Sequence, residues 1–210
     1  WVELDVKLSR DGVPIIFHDA RLERTSNGIG LVADMDYQDL AALDAGLWFG
    51  AEFHGQPIPS LAATITLLAE LGMGLNLELK PCAGRAAATT AAALAVLRAA
   101  WPSGLPLLLS SFDRTALLVA QDIAPDMPRG LLLDEVVGDW RSLLSQLEAS
   151  SFNINGNRVA LDLLPEIVAA AAVPVLAYTI NDPLRAKALW QAGITGIFTD
   201  DPITLLRAQS

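Results

Sequence analysis

The chain has 210 residues, of which 52% are hydrophobic, enough apolar material to bury a full core as one large domain. Its formal net charge of −10 excludes a nucleic-acid binder, because nothing offsets repulsion along a phosphate backbone. The single cysteine, Cys82, excludes an intramolecular disulfide and fits a reducing, cytoplasmic compartment.

Val2 to Leu8 alternates with period two, so Glu3 and Asp5 share one strand face. The turn Arg10-Asp11-Gly12 leads into Val13-Pro14-Ile15-Ile16-Phe17-His18-Asp19, which reads as a hairpin partner of that strand. A long stretch without helical period follows, carrying Thr25-Ser26-Asn27-Gly28 and Asp44-Ala45-Gly46. Together these form an insertion over about 9–58. It leaves the carboxyl end of a strand, the end at which barrel active sites lie.

Strand-like runs and amphipathic Ala/Leu-rich segments alternate from there on. Strands are expected at Leu75 to Lys80, Pro106 to Ser111, Gly130 to Asp134, Ser151 to Asn155, Val175 to Thr179 and Gly196 to Thr199. Helices are expected at Leu61 to Leu71, Ala86 to Trp101, Arg114 to Ile123, Trp140 to Ala149, Leu161 to Ala172 and Leu184 to Ala192, with a last turn from Ile203. Pro59-Ser60 and Asp182-Pro183 mark helix starts, and Gly193 follows a helix end. The longest uncharged apolar stretch, Ile167 to Ile180, is broken by Pro174 and falls short of the roughly 20 residues of a membrane span, so no membrane insertion is expected.

Repeated βα units mean a parallel sheet, either closed into a barrel or doubly wound. The expected fold class is α/β, a TIM-type (β/α)8 barrel forming a single domain over residues 1–210, with the insertion after the second barrel strand. With the opening strand the count is seven, so the first βα unit is expected to lie before Trp1.

In Asn76-Leu77-Glu78-Leu79-Lys80 the polar residues again share one face. Helices cover the outside of such a sheet, so Glu3, Asp5, Glu78 and Lys80 must line an interior or a crevice, and three convergent carboxylates there require a cation. The competing assignment of Glu3 and Asp5 to a solvated face belongs to antiparallel sheets. His18 taken alone reads as structural, His54 as solvent-facing, Asp19 as a turn cap ahead of an orienter of His18, and most of Trp48, Phe49 and Phe53 as the insertion's own core, ahead of a wall for the substrate's glycerol or alcohol group. Phe112 and Tyr178 follow strand ends and are placed to touch substrate.

The motifs taken together resemble the glycerophosphodiester phosphodiesterases, in particular the cytosolic bacterial type. They are Val2-Glu3-Leu4-Asp5-Val6, Phe17-His18-Asp19, Leu22-Glu23-Arg24-Thr25-Ser26-Asn27-Gly28, Asp44-Ala45-Gly46, Asn76-Leu77-Glu78-Leu79-Lys80, Ser110-Ser111-Phe112, Pro128-Arg129-Gly130, Tyr178-Thr179-Ile180-Asn181 and Phe198-Thr199-Asp200, in order along the whole chain. The resemblance implies a barrel hydrolase that releases glycerol 3-phosphate and an alcohol from glycerophosphodiesters. It implies Glu3, Asp5 and Glu78 as ligands of one divalent cation, and His18 as one of two catalytic histidines. The other belongs to a His-Arg-Gly motif expected upstream of Trp1, so the 210-residue chain by itself is expected to be inactive. Oxygen-only ligands favour Mg²⁺ or Ca²⁺, with Mn²⁺ also compatible. Lys80, Phe112 and Tyr178 are expected to touch substrate, Tyr178 standing where the family often carries tryptophan. Two alternatives stand beside this one. A related barrel enzyme acting on a lysophospholipid or sphingolipid head group would need an exposed apolar rim, which is not visible in the acidic loops. The other is a non-catalytic barrel that binds phosphate esters.

Overall fold

The computed structural model describes residues 1–136 and 138–208. The chain divides into two compact units, Trp1–Met127 and Pro128–Ser210. In the first, strands β1 (Val2–Leu8), β2 (Pro14–Ile16), β3 (Leu75–Leu79) and β4 (Leu107–Ser111) lie in the order β2-β1-β3-β4. β1, β3 and β4 run parallel, and β2 returns antiparallel on β1 with Val6 opposite Ile16. Its helices are α1 (Tyr37–Leu40), α2 (Leu61–Leu71), α3 (Ala86–Ala100) and α4 (Arg114–Ile123).

Side-chain alternation sorts each strand into two faces. Val2, Leu4 and Val6 of β1 and Leu75, Leu77 and Leu79 of β3 pack with Ile65 and Leu68 of α2 and Leu94 and Leu97 of α3. The intervening Glu3, Asp5, Lys7, Asn76 and Glu78 are thereby turned to the opposite face. The helices start and stop where their local chemistry directs. The Ser60 hydroxyl accepts from the Ala63 N–H at 3.2 Å to begin α2, and Gly72 ends it at φ 63°, a left-handed conformation that costs glycine nothing. Asp113 caps α4 by accepting from the Ala116 N–H at 3.0 Å.

The insertion is held by a small core of Ile15, Phe17, Leu22, Val32, Leu40 and Ile58, with only one short helix, α1, and two 3-10 turns. Trp48, Phe49 and Phe53 are not in that core. They are 53%, 70% and 41% exposed, which corrects the expectation that they would fill it. Phe17 and the branched aliphatic residues occupy the available interior. The three rings are left on an outer loop that Asp44 staples by accepting from the N–H groups of Gly46, Leu47 and Gly55 at 2.9, 3.0 and 2.9 Å.

The second unit contains parallel strands β5 (Arg129–Leu133), β6 (Ser151–Asn155), β7 (Val175–Tyr178) and β8 (Gly196–Ile197), with helices α5 (Trp140–Gln146), α6 (Leu164–Ala171), α7 (Pro183–Gln191) and α8 (Pro202–Ala208). Its packing includes a Trp140–Phe152 stack at 5.0 Å. Two helices are shorter than the apolar pattern suggests. After α5 the chain reverses through Glu148 at φ 46°, where the Ala149 N–H reaches back to the Leu144 carbonyl. α6 cannot extend back to Leu161, because Pro165 belongs to its first turn. Among the described residues no helix is long and apolar enough to cross a membrane.

Leu40 is fully buried in the insertion's core. Leu40→Ala should cost about 2–5 kcal/mol of stability, read as a lower urea midpoint at unchanged slope.

Candidate active site

Parallel pairing of β1 with β3 sets Glu3 beside Asn76 and Asp5 beside Glu78. The result is a cluster in which one carboxylate oxygen each from Glu3, Asp5 and Glu78 lies within 4.8 Å of the others. Lys80, just past β3, places its Nζ 3.0 Å from Asp5 Oδ1 and 3.3 Å from Glu78 Oε1. Four residues expected at the site thus come together as the two period-two faces require.

The electrostatics are those of an anionic pocket short of positive charge. Burial, reinforced by the neighbouring Asp5 carboxylate, pushes Glu78 up to about 7 even though Lys80 opposes the shift. Burial works against the Lys80 ammonium, but the charges of Asp5 and Glu78 outweigh it and hold Lys80 above its ordinary value. The Lys80 ammonium bridges Asp5 and Glu78, and every potential donor of the cluster is a hard oxygen. The donor set fits a divalent cation of the Mg²⁺ or Ca²⁺ kind.

Lys7 was not anticipated. It occupies the next position on the Glu3–Asp5 face, the signal that could have revealed it. Burial lowers its ammonium, and its Nζ donates to the Lys80 carbonyl at 2.9 Å, fixing the backbone that carries Lys80. Asn76 adds a buried Oδ1 with no hydrogen-bond partner among the described residues, while its Nδ2 donates to Ser110 Oγ at 3.0 Å.

His18 follows β2 and is brought alongside β1 by the hydrogen bond from the Phe17 N–H to the Asp5 carbonyl at 3.0 Å. Its Nδ1 lies 2.6 Å from Asp19 Oδ1. Arg24 grips the same carboxylate twice, Nε to Oδ2 at 2.5 Å and Nη2 to Oδ1 at 2.8 Å. Asp19 thus bonds His18 and Arg24, the less favoured of its two sequence readings; Arg24 stands in the sequence only as part of a family motif, because five residues separate it from Asp19. Hydrogen bonding from Arg24 holds the Asp19 carboxyl well below the usual carboxylate range. His18, Arg24, Thr25 and Trp48 are among the residues lining a groove of about 400 Å³. Phe112 stands directly after β4, 44% exposed. Tyr178 ends β7 in the second unit and is half-buried. His54 is exposed, its Nε2 3.6 Å from Asp44 Oδ2.

The model of the glycerophosphoryl diester phosphodiesterase family matches residues 1–204. The chain belongs to that family. A glycerophosphodiester phosphodiesterase of Caldanaerobacter subterraneus subsp. tengcongensis is 29% identical over 209 residues, 98% of this chain and 84% of that protein. Among solved structures, an Oleispira antarctica phosphodiesterase in complex with the product sn-glycerol-3-phosphate superposes with a TM-score of 0.96 at 41% identity, over 100% of this chain and 84% of that one. A glycerophosphodiester phosphodiesterase of Agrobacterium tumefaciens gives a TM-score of 0.80 at 29% identity, over 99% and 86% of the two chains. Family membership fixes the reaction class, phosphodiester hydrolysis, and the fold class, a (β/α)8-barrel type, as expected from the sequence.

A carboxyl whose folded value is raised stabilises the fold below its unfolded value, near 4.5, and that stability is lost as pH rises towards about 7. The melting temperature of the metal-free protein should therefore fall between pH 5 and pH 8. Glu78→Gln, which stands in for the protonated acid, should flatten that fall when the two proteins are compared by differential scanning fluorimetry.

Proposed function

We propose that the protein hydrolyses glycerophosphodiesters such as glycerophosphocholine and glycerophosphoethanolamine to glycerol 3-phosphate and the free alcohol, using one divalent cation held by Glu3, Asp5 and Glu78. The observation that carries this reading is the convergence of those three carboxylates from adjacent parallel strands. A dication bound there supplies charge to polarise the phosphoryl oxygen, which the carboxylates alone would repel. Mg²⁺ or Ca²⁺ suits the all-oxygen set, and Mn²⁺ is compatible.

The side chains divide the remaining work. Lys80 neutralises Asp5 and Glu78 and presents an ammonium to the anionic substrate. His18 moves a proton during cleavage, as acid towards the leaving alkoxide or base towards the nucleophile. The family resemblance carries Phe112 and Tyr178 as further substrate contacts. Family resemblance and the product named in the Oleispira antarctica structure support glycerol 3-phosphate as the common product. Cysteine usage, a single buried Cys82, supports a cytoplasmic location.

One observation favours a second reading. The exposed Leu47, Trp48, Phe49 and Phe53 supply the apolar rim that the sequence did not reveal, and Trp48 borders the groove that also contains His18. Such a rim accommodates an acyl chain, so lysophospholipids are the alternative substrate class.

The full-length protein should release glycerol 3-phosphate from both diesters only with Mg²⁺, Mn²⁺ or Ca²⁺ present. Glu78→Gln should lower kcat/KM about 100-fold or more, and His18→Ala should lower kcat about 10²–10⁴-fold. Turnover that persists in EDTA would reject the metal assignment. A kcat/KM for lysophosphatidylcholine above that for glycerophosphocholine, lost in Trp48→Ala, would select the second reading.

A further inference from the structure

We infer that Asp19 and Arg24 are positioning residues for His18: the carboxylate of Asp19, clamped by Arg24, holds the imidazole as its Nδ1–H tautomer and leaves Nε2 as the atom that exchanges the proton. The inference rests on the reading of His18 as the proton-transfer group. A hydrogen bond has one donor, and an ionised carboxylate can only accept. Arg24 delivers Nε and Nη2 to the two oxygens of Asp19 at 2.5 and 2.8 Å, the two-pronged geometry of an ion pair. The 2.6 Å contact between Asp19 Oδ1 and His18 Nδ1 therefore places the hydrogen on Nδ1. The 3.4 Å approach of Arg24 Nη2 to the same nitrogen sets donor against donor and is proximity alone.

This clamp matters because the ring has little else to hold it. The His18 side chain is 55% exposed, and among the described residues nothing bonds its Nε2. Without Asp19 the imidazole would be free to rotate and to change tautomer. The clamp is itself anchored. Leu22, fully buried in the insertion's core, lies between Asp19 and Arg24, and its N–H donates to the Gly30 carbonyl at 3.0 Å. The loop therefore returns Arg24 to the carboxylate across five residues, and the insertion acts on the site through His18.

In a long-range ¹H–¹⁵N correlation spectrum of the labelled full-length protein, the His18 ring is assigned by the resonances that His18→Gln removes, and His54 by those that His54→Gln removes. The neutral ring should show Nδ1 protonated and Nε2 bare. Asp19→Ala should shift the ring to the Nε2–H form and lower kcat about 10²-fold at unchanged KM, and Asp19→Glu should recover part of the loss. Arg24→Gln should give a smaller fall of the same kind. An Nε2–H tautomer in the protein with Asp19 intact overturns the inference, whether or not any Asp19 variant folds. So does an Asp19→Ala variant that keeps the tautomer or the wild-type kcat. Failure of the underlying reading has a separate sign: His18→Ala with wild-type kcat would remove His18 from the reaction whatever its spectrum shows.

Discussion

Asp5 and Glu78 stand side by side because β1 and β3 pair in parallel with those two residues in register, and the rest of the site follows from that pairing. Like charges on neighbouring strands repel, and a buried carboxylate loses its hydration, so the arrangement costs the fold stability. Backbone hydrogen bonds along the ladder and the leucine face behind it hold the strands regardless. A one-residue slip of β1 would put Glu3 and Asp5 into the apolar layer. The core thus enforces the proximity of charges that would otherwise separate, and Lys80 offsets part of the repulsion. A buried acid with a raised value beside a second carboxylate marks the site as one that could hold a cation.

Around this rigid pair the insertion supplies what the strands cannot. It is organised by a compact aliphatic core and by polar side chains bonding to backbone, among them Asp44 and Ser26, in place of long helices or a sheet. Such a segment can carry a histidine on its edge while leaving the ring open to solvent and substrate. The division is physically reasonable: carboxylates that gather a cation need a stiff, desolvated support, and a group that exchanges protons needs access.

The aromatic loop shows where composition misleads. Large rings in a segment without helical period suggest a core, yet Phe49 is 70% exposed and touches Trp48 and Phe53 edge to face, with centroids 5.6 and 5.3 Å away. An exposed cluster of this kind beside the groove that His18 lines is the observation behind the proposed second substrate class.

The sequence by itself determined the alternation of strands and helices and the two faces of β1 and β3, and hence that Glu3, Asp5, Glu78 and Lys80 face away from the helices. Period-two patterning is a local property, and the parallel class follows from the helices between strands. Family resemblance, and not periodicity, singled out His18. The tertiary structure decided which strand positions became neighbours, the burial that raises Glu78, the exposure of Trp48 and its companions, and the union of His18, Asp19 and Arg24. None of these has a period in the chain. Each depends on how a loop returns in space, and burial and hydrogen-bond pairing depend on residues distant in sequence.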